Sequence, residues 1–449
     1  VTDREGLGLA EEVLRRAGAA GATDAEVLVL GTDLALTRFA NNEIHQNVAE
    51  TDIAVNLRFV DGRRQGVAST GRTDDESLGR LVDTAATITR ASAELADGVA
   101  LPSGDGSMVA EHPTAWATAT ATADPELRAA GVRTVIGAAE AVKATASGSF
   151  STSMERVTVA NTRGIRADGE RSRARLLTVM MSGDGGTGYA ESCAVDVDDI
   201  DPTAIGAEAA ERTKASADPV AVEPGDYPVV LLEYAVVDVL DMLGYLGFSA
   251  LAVQEDRSFV ELGRRVGSPL VSIRDDGSDP AGLPMAFDYE GAPKTVVPLV
   301  EAGVCSGVVY DAATAAREGR ATTGHGLPAP NPWGPFPLNM HMAAGGTSRD
   351  ELIGGLDRGL LVTRFHYTNP VQSKRAVVTG MTRDGTFLVE DGRVVAPVRN
   401  LRYTHSYVDA LAQVSAVGNE RRCLEGFLGA VVVPAIRIDA WTFTSATEH

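Results

Sequence analysis

Few side chains in this 449-residue chain could do chemistry, and their spacing says what that chemistry would be. A neutral imidazole or a thiolate can hold zinc, which accepts mixed His and Cys sets. His366 and His405 lie in the aromatic-flanked strings RFHYTNP and RYTHSY, and Cys423 follows the string GNERR. Together they would make a His/His/Cys set, but the spacing supports no such site because its ligands would come from separate elements. Cys423 keeps three readings: a relict metal ligand, a reactive thiol, or the small buried hydrophobe that a free cysteine usually becomes. His325 and His341 bracket the loop GHGLPAPNPWGPFPLNMHM, where five prolines forbid regular helix and favour extended, preorganised backbone. Trp333 and Phe336 on that loop are candidates to line a peptide groove, to cover the core or to face a partner. His45 is expected to serve a structural hydrogen-bond network. No G-x-S-x-G elbow or cysteine-hydrolase signature occurs. The glycine cluster at 183–188 lacks the spacing and the GK[ST] ending of a phosphate loop.

The elements that must position these groups can be read from periodicity. An amphipathic helix is expected at Gly6–Ala19, followed by alternating strands between Ala25 and Ser69 and a helix at Thr73–Ala93 with Thr73 as its N-cap. Residues 96–123 read as a linker. Asp124-Pro125 starts a helix reaching about Ala146, and strands at Phe150–Ala160 and Arg173–Ser182 precede a helix at Pro202–Ala217. Pro219–Tyr227 reads as a second linker. Val229–Leu232 is then a strand leading into an apolar helix. Beyond it, strand-like runs at Asp288–Val300, Gly303–Tyr310, Leu360–His366, Val377–Thr382, Thr386–Glu390, Arg393–Pro397 and Val431–Ile438 are rich in Val, Thr and aromatics. Asp384-Gly385 and Asp391-Gly392 are expected turns between them. The fold class is α+β: N-terminal α/β sandwich-like domains precede a C-terminal domain whose curved, largely antiparallel sheet surrounds the apolar helix. Domain boundaries are expected at 1–95, 96–222 and 223–449.

Composition excludes several classes. The formal charge of −21 disfavours nucleic acid or an anionic membrane as the main partner. No apolar run of about 18 residues suggests a membrane span. The charged start VTDREGLGLAEEVLRR lacks the apolar core of a signal peptide, and three scattered cysteines do not suggest a disulfide framework, so a cytoplasmic location is expected.

The strand and apolar helix lie between PGDYPVVL and SPLVSIRDDG. With the segment Arg38–Gln46 (RFANNEIHQ), the strings at Gly359–Val362, Thr379–Val398 and Asn400–Tyr403, and the ending Val417-Gly418-Asn419 with Cys423 and Val431–Ile438, this text resembles the TldD/PmbA family of metallopeptidases across nearly the whole chain. In that family the helix carries HExxxH, and here the corresponding six positions are Leu240-Asp241-Met242-Leu243-Gly244-Tyr245. Leucine has no lone pair for zinc, and a phenol with a pKa near ~10 is a poor ligand at neutral pH. The resemblance therefore implies a TldE (PmbA)-type subunit. Such a chain would hold no zinc itself, would pair with a TldD-like homologue that brings the metal, and would complete a channel for peptide hydrolysis or leader trimming. Cys423 matches the position of the family's ligating cysteine, but its thiolate lacks the two imidazoles. Asp241 and Tyr245 are left either as substrate contacts or as parts of a helix turned over to packing. The alternative is a stand-alone diverged hydrolase of a small amide or modified peptide, rebuilt from His366, His405, Cys423 and Asp241.

Overall fold

The computed structural model describes residues 5–446. Its first sheet comprises β1 (Asp24–Ala40), β2 (Glu43–Asp61), β3 (Arg64–Thr70), β4 (Met108–Ala110), β5 (Ala144–Asn161), β6 (Arg166–Ser182) and β7 (Thr187–Ala194). The order is β3-β2-β1-β5-β6-β4, with β7 also on β6, so strands on both sides of residue 95 share one sheet. Asn41 and Asn42 both adopt positive φ at the β1–β2 turn, a conformation Asn tolerates better than most residues. The Asn42 side chain then ties this tip to Ala144 and Ala146 on β5. The RFANNEIHQ string is thus turn chemistry.

Alternation along the strands gives each face of this sheet a separate task. Val27 and Val29 face helices α1 (Glu5–Ala19) and α2 (Asp75–Ala91), whose Val13, Leu14, Leu78 and Leu81 form one core. Phe39, Phe150 and Leu176 face α4 (Pro125–Ala141) and α5 (Pro202–Ala215), which follow the one-turn α3 (Thr118–Ala121). The opposite face puts Leu28, Val157 and Val159 against Phe287 of the C-terminal domain.

Several local expectations are corrected. The cap of α2 is Asp74 rather than Thr73, because the Asp74 carboxylate accepts the Ser77 N–H at 3.0 Å. α4 stops at Ala141; Lys143 turns with positive φ and residues 144–146 already belong to β5. The stretch 96–123 is not featureless, since it holds β4 and α3. His45 is exposed on β2 and takes part in no hydrogen-bond network among the described residues.

The C-terminal domain is built on β8 (Gly225–Leu231), β9 (Ile273–Asp275), β10 (Val297–Glu301), β11 (Val304–Cys305), β12 (Asn339–Met342), β13 (Arg358–Gln372), β14 (Val377–Glu390), β15 (Arg393–Pro397), β16 (Leu401–Ser406), β17 (Val414–Glu425) and β18 (Ala430–Ala446). β8 begins inside the expected second linker. All pairs are antiparallel except β12–β18 and β13–β8. Because β18 pairs with both β16 and β8, strands β18, β16, β14, β13 and β8 form a closed hydrogen-bonded circuit. Phe365 stacks on Trp441, and Tyr403 meets both rings at steeper angles, within the same core as helix α6 (Glu233–Leu246).

Asp384-Gly385 is no turn: both residues have positive φ inside the continuous strand β14, where they bulge against β13. The long strands expected at 288–300 and 303–310 shrink to β10 and β11. Before β10 the Asp288 carboxylate accepts the N–H groups of Glu290, Ala292 and Gly326, holding the backbone in a loop. Among the described residues no helix is long and apolar enough to cross a membrane.

Candidate functional site

Helix α6 is apolar nearly all round, the pattern of a helix surrounded by core. Leu240 is 0 % exposed among the apolar side chains of the sheet circuit. Asp241 instead reaches the β17–β18 turn, where it accepts the Phe427 N–H at 2.9 Å. Tyr245 is 44 % exposed and meets the Phe427 ring edge-on at 6.5 Å. The three positions therefore look in different directions: one into hydrocarbon, one onto backbone, one outward. They do not fit zinc, and no group of three His, Cys, Asp or Glu among the described residues could hold a metal ion.

The other candidates are placed apart. His366 sits on β13 opposite Met381, with its pKa lowered by burial and by Arg383 and Arg364. His405 stacks on Trp441 with centroids 4.9 Å apart. The partly exposed Cys423 lies beside Cys193, whose thiol is pushed up by its hydrogen bond to Cys423 and by burial. His325 is buried with Nε2 2.8 Å from Asp275, and Lys294 stands 3.0 Å from the same oxygen. Burial opposes ionisation of Asp275, but these two neighbours hold its carboxyl well below the usual range. His341 lies 3.3 Å from Asp279. Of the two groove candidates, Phe336 takes the core-covering alternative: it is buried with Met285, Leu327 and Leu338. Trp333 remains outside, 50 % exposed, with its ring 6.5 Å from Phe427.

The geometry adds groups that sequence reasoning missed. Asp238, one turn before Asp241, faces the same polar cavity of about 200 Å³, lined also by Arg175, Glu191, Arg364 and Glu425. Its i, i+3 spacing from Asp241 was a visible signal. Asp238 accepts hydrogen bonds from Thr368 at 2.7 Å and Tyr407 at 3.0 Å. Burial raises its pKa to about 6, while those hydrogen bonds and Arg364 act in the opposite direction. Asp241 is raised to about 7 by burial, opposed by the Phe427 N–H and reinforced by Asp238. Arg175 is ion-paired to Glu191 and Glu425, and Arg364 binds Asp384 at 2.6 Å while lying 4.2 Å from the Tyr189 ring centroid. Two buried carboxyls whose pKa values are raised toward neutrality thus share a cavity with neutralised arginines.

A carboxyl whose folded pKa is raised favours the fold below its unfolded value, and that contribution is lost as pH rises through the folded value. Asp241→Asn is therefore expected to flatten the stability profile between about pH 3.8 and about pH 7. Urea midpoints at pH 5 and pH 8 check this; an unchanged difference between the two would mean that Asp241 is ionised throughout.

Two larger cavities separate the first sheet from the C-terminal domain. One, of about 310 Å³, is walled by Ser153 and Glu155 on β5 and by Met285 and Tyr289. The other, of about 460 Å³, runs beneath Pro328, Pro330 and Trp333. Leu428 lines both, next to Phe427, which is 63 % exposed.

Comparison with known proteins agrees along the chain. Family models match for PmbA/TldA metallopeptidase domain 1 at residues 25–89, the central domain at 117–217 and the C-terminal domain at 224–445. A metalloprotease of Methanothermobacter thermautotrophicus is 27 % identical over 254 residues, covering 55 % of this chain and 53 % of that one. A metalloprotease TldD homolog of Buchnera aphidicola is 26 % identical over 170 residues, 37 % of this chain and 34 % of its own. The chain thus spans between about a third and about half the length of these curated relatives. The crystal structure of TldE from Thermococcus kodakarensis superposes with a TM-score of 0.87 at 20 % identity, covering 97 % of this chain and 100 % of that one, a likeness of fold. With all three domain models matched in order, this chain belongs to the TldD/PmbA metallopeptidase family.

Proposed function

We propose that this chain is a TldE-like, non-catalytic subunit that binds a homologous zinc-bearing TldD-like chain in the cytoplasm and forms part of the channel through which a peptide reaches that metal. The observation carrying this reading is the fate of Leu240, which is buried in apolar core at the position where the family resemblance calls for a zinc ligand. The outward Tyr245 supports it, as does the separation of Cys423 from any imidazole set. The cavities under Trp333 and Leu428 are the peptide-facing surface in this reading. The acidic chain is not assigned nucleic acid or membrane as partner.

The purified, untagged chain is expected to hold well under one equivalent of zinc by elemental analysis and to cleave no peptide alone. Mixing it with a TldD-type homologue that carries an intact HExxxH should give a stable complex and peptide hydrolysis. One tightly held zinc per isolated chain would end this reading. A second reading, the stand-alone hydrolase, is favoured by Asp238 and Asp241, whose raised pKa values suit general acid–base work. It requires turnover without a partner that is lost in Asp238→Asn and Asp241→Asn.

A further inference from the structure

A separate cavity, of about 290 Å³, lies where the β6–β7 hairpin and the end of α5 meet β14 and the strand-connecting residues 398–400. Thr187 and Ser216 line one side, and Arg383, Thr386, Arg399 and Asn400 the other. The register of β13 and β14 puts Arg364 directly opposite Arg383, an arrangement of like charges that destabilises a sheet unless each is compensated. Arg364 is compensated by Asp384 and by the Tyr189 ring. Neither Arg383 nor Arg399 has a carboxylate within ion-pair distance among the described residues. Asp384 is held by Arg364 through Oδ2 while its Oδ1 has no hydrogen-bond partner, and Asp184 accepts from Ser182 and the Gly186 N–H. In a chain of net charge −21, two unpaired guanidinium groups on one cavity leave a local positive spot.

Thr386 adds an independent sign. It is 2 % exposed and its Oγ1 has no hydrogen-bond partner, an unfavourable state for a buried hydroxyl. The bulge keeps Gly385 at the cavity edge, because a Cβ there would stand 2.7 Å from Thr363 Oγ1 on a backbone with φ of +115°.

We propose that this cavity binds a small oxyanion, a phosphate or carboxylate group, held by the Arg383 and Arg399 guanidinium groups with the Thr386 hydroxyl as a further donor. Guanidinium forks match the paired oxygens of either group, and the Thr386 hydroxyl has no protein acceptor competing for its proton. The site does not depend on the metallopeptidase-subunit reading.

Isothermal titration of the full chain at low ionic strength tests it, with inorganic phosphate as one probe and a short peptide bearing a free or an amidated C-terminus as the other. Saturable binding at one site is expected. Phosphate alone would identify a phosphoryl-type ligand; the free but not the amidated peptide would identify a carboxylate. Arg383→Gln and Arg399→Gln are each expected to weaken binding about tenfold or more, and Thr386→Val by a few-fold. Circular dichroism and urea midpoints confirm that each variant is folded, and exposed Arg399 provides a variant that leaves the strand pair untouched. Absence of saturable binding of both probes to the folded chain overturns the proposal. So does unchanged affinity in the Arg383→Gln/Arg399→Gln double variant.

Discussion

Arg58→Met is expected to destabilise the protein by about 3–5 kcal/mol at neutral pH, the usual loss when one partner of a buried ionic cluster is removed. Arg58 on β2 lies opposite Glu26 on β1, with its guanidinium 3.3 Å from that carboxylate and 3.4 Å from Glu290 of the C-terminal domain. All three side chains are buried, so methionine would fill much of the space and leave two uncompensated carboxylates facing each other. Burial raises Glu26 to about 7, with Arg58 acting to lower it and Glu290 to raise it; Glu290 is raised by burial as well. Carboxyls raised in the fold support it below their unfolded pKa and withdraw that support as pH rises through the folded value. Without Arg58 both should rise further. The deficit of the variant is therefore expected to be largest above about pH 7 and to shrink toward pH 5, where the carboxyls take up protons. Urea unfolding at pH 5 and pH 8 decides the matter, and an equal deficit at both would show that the cluster is not ionic.

Leu240→His is expected to cost a further amount of the same size, about 3–5 kcal/mol, by combining lost apolar burial with a buried imidazole that has no partner. Tyr245→His should cost no more than about 1 kcal/mol, because that side chain is 44 % exposed and loses chiefly its edge-on contact with the Phe427 ring. The contrast tests whether α6 has been given over to packing. Combining Leu240→His, Asp241→Glu and Tyr245→His restores the lettering of HExxxH without restoring the site, so the triple variant should unfold early and take up no stoichiometric zinc. A stable triple variant with one tightly bound zinc would show that the helix retains the geometry of a metal centre.

The elements legible in the sequence were those whose local signals agreed with their surroundings. The periodic stripe of α1, the Asp124-Pro125 start of α4 and the apolar run of α6 needed no tertiary information. Asp384-Gly385 misled because the same pair that closes a hairpin also suits a bulge, and only the partner strand β13 distinguishes them. The strand expected over residues 288–300 was overridden by Asp288, whose carboxylate captures N–H groups that a ladder would need. At the candidate site, the degenerate positions Leu240, Asp241 and Tyr245 could be read, but their divergence could not: it depends on the turn carrying Phe427, nearly two hundred residues later. Phe336 and Trp333 were indistinguishable as neighbours in a proline-rich string until the loop's path buried one and exposed the other.

Strand β18 bonds to β8, β12, β16 and β17, so four other strands wait for it. On a ribosome the first sheet can assemble early, whereas α6 and its surrounding strands emerge with their greasy sides uncovered and stay so until β18 arrives. Any slowing of synthesis shortly before residue 430 would therefore lengthen the exposure of that apolar surface to aggregation.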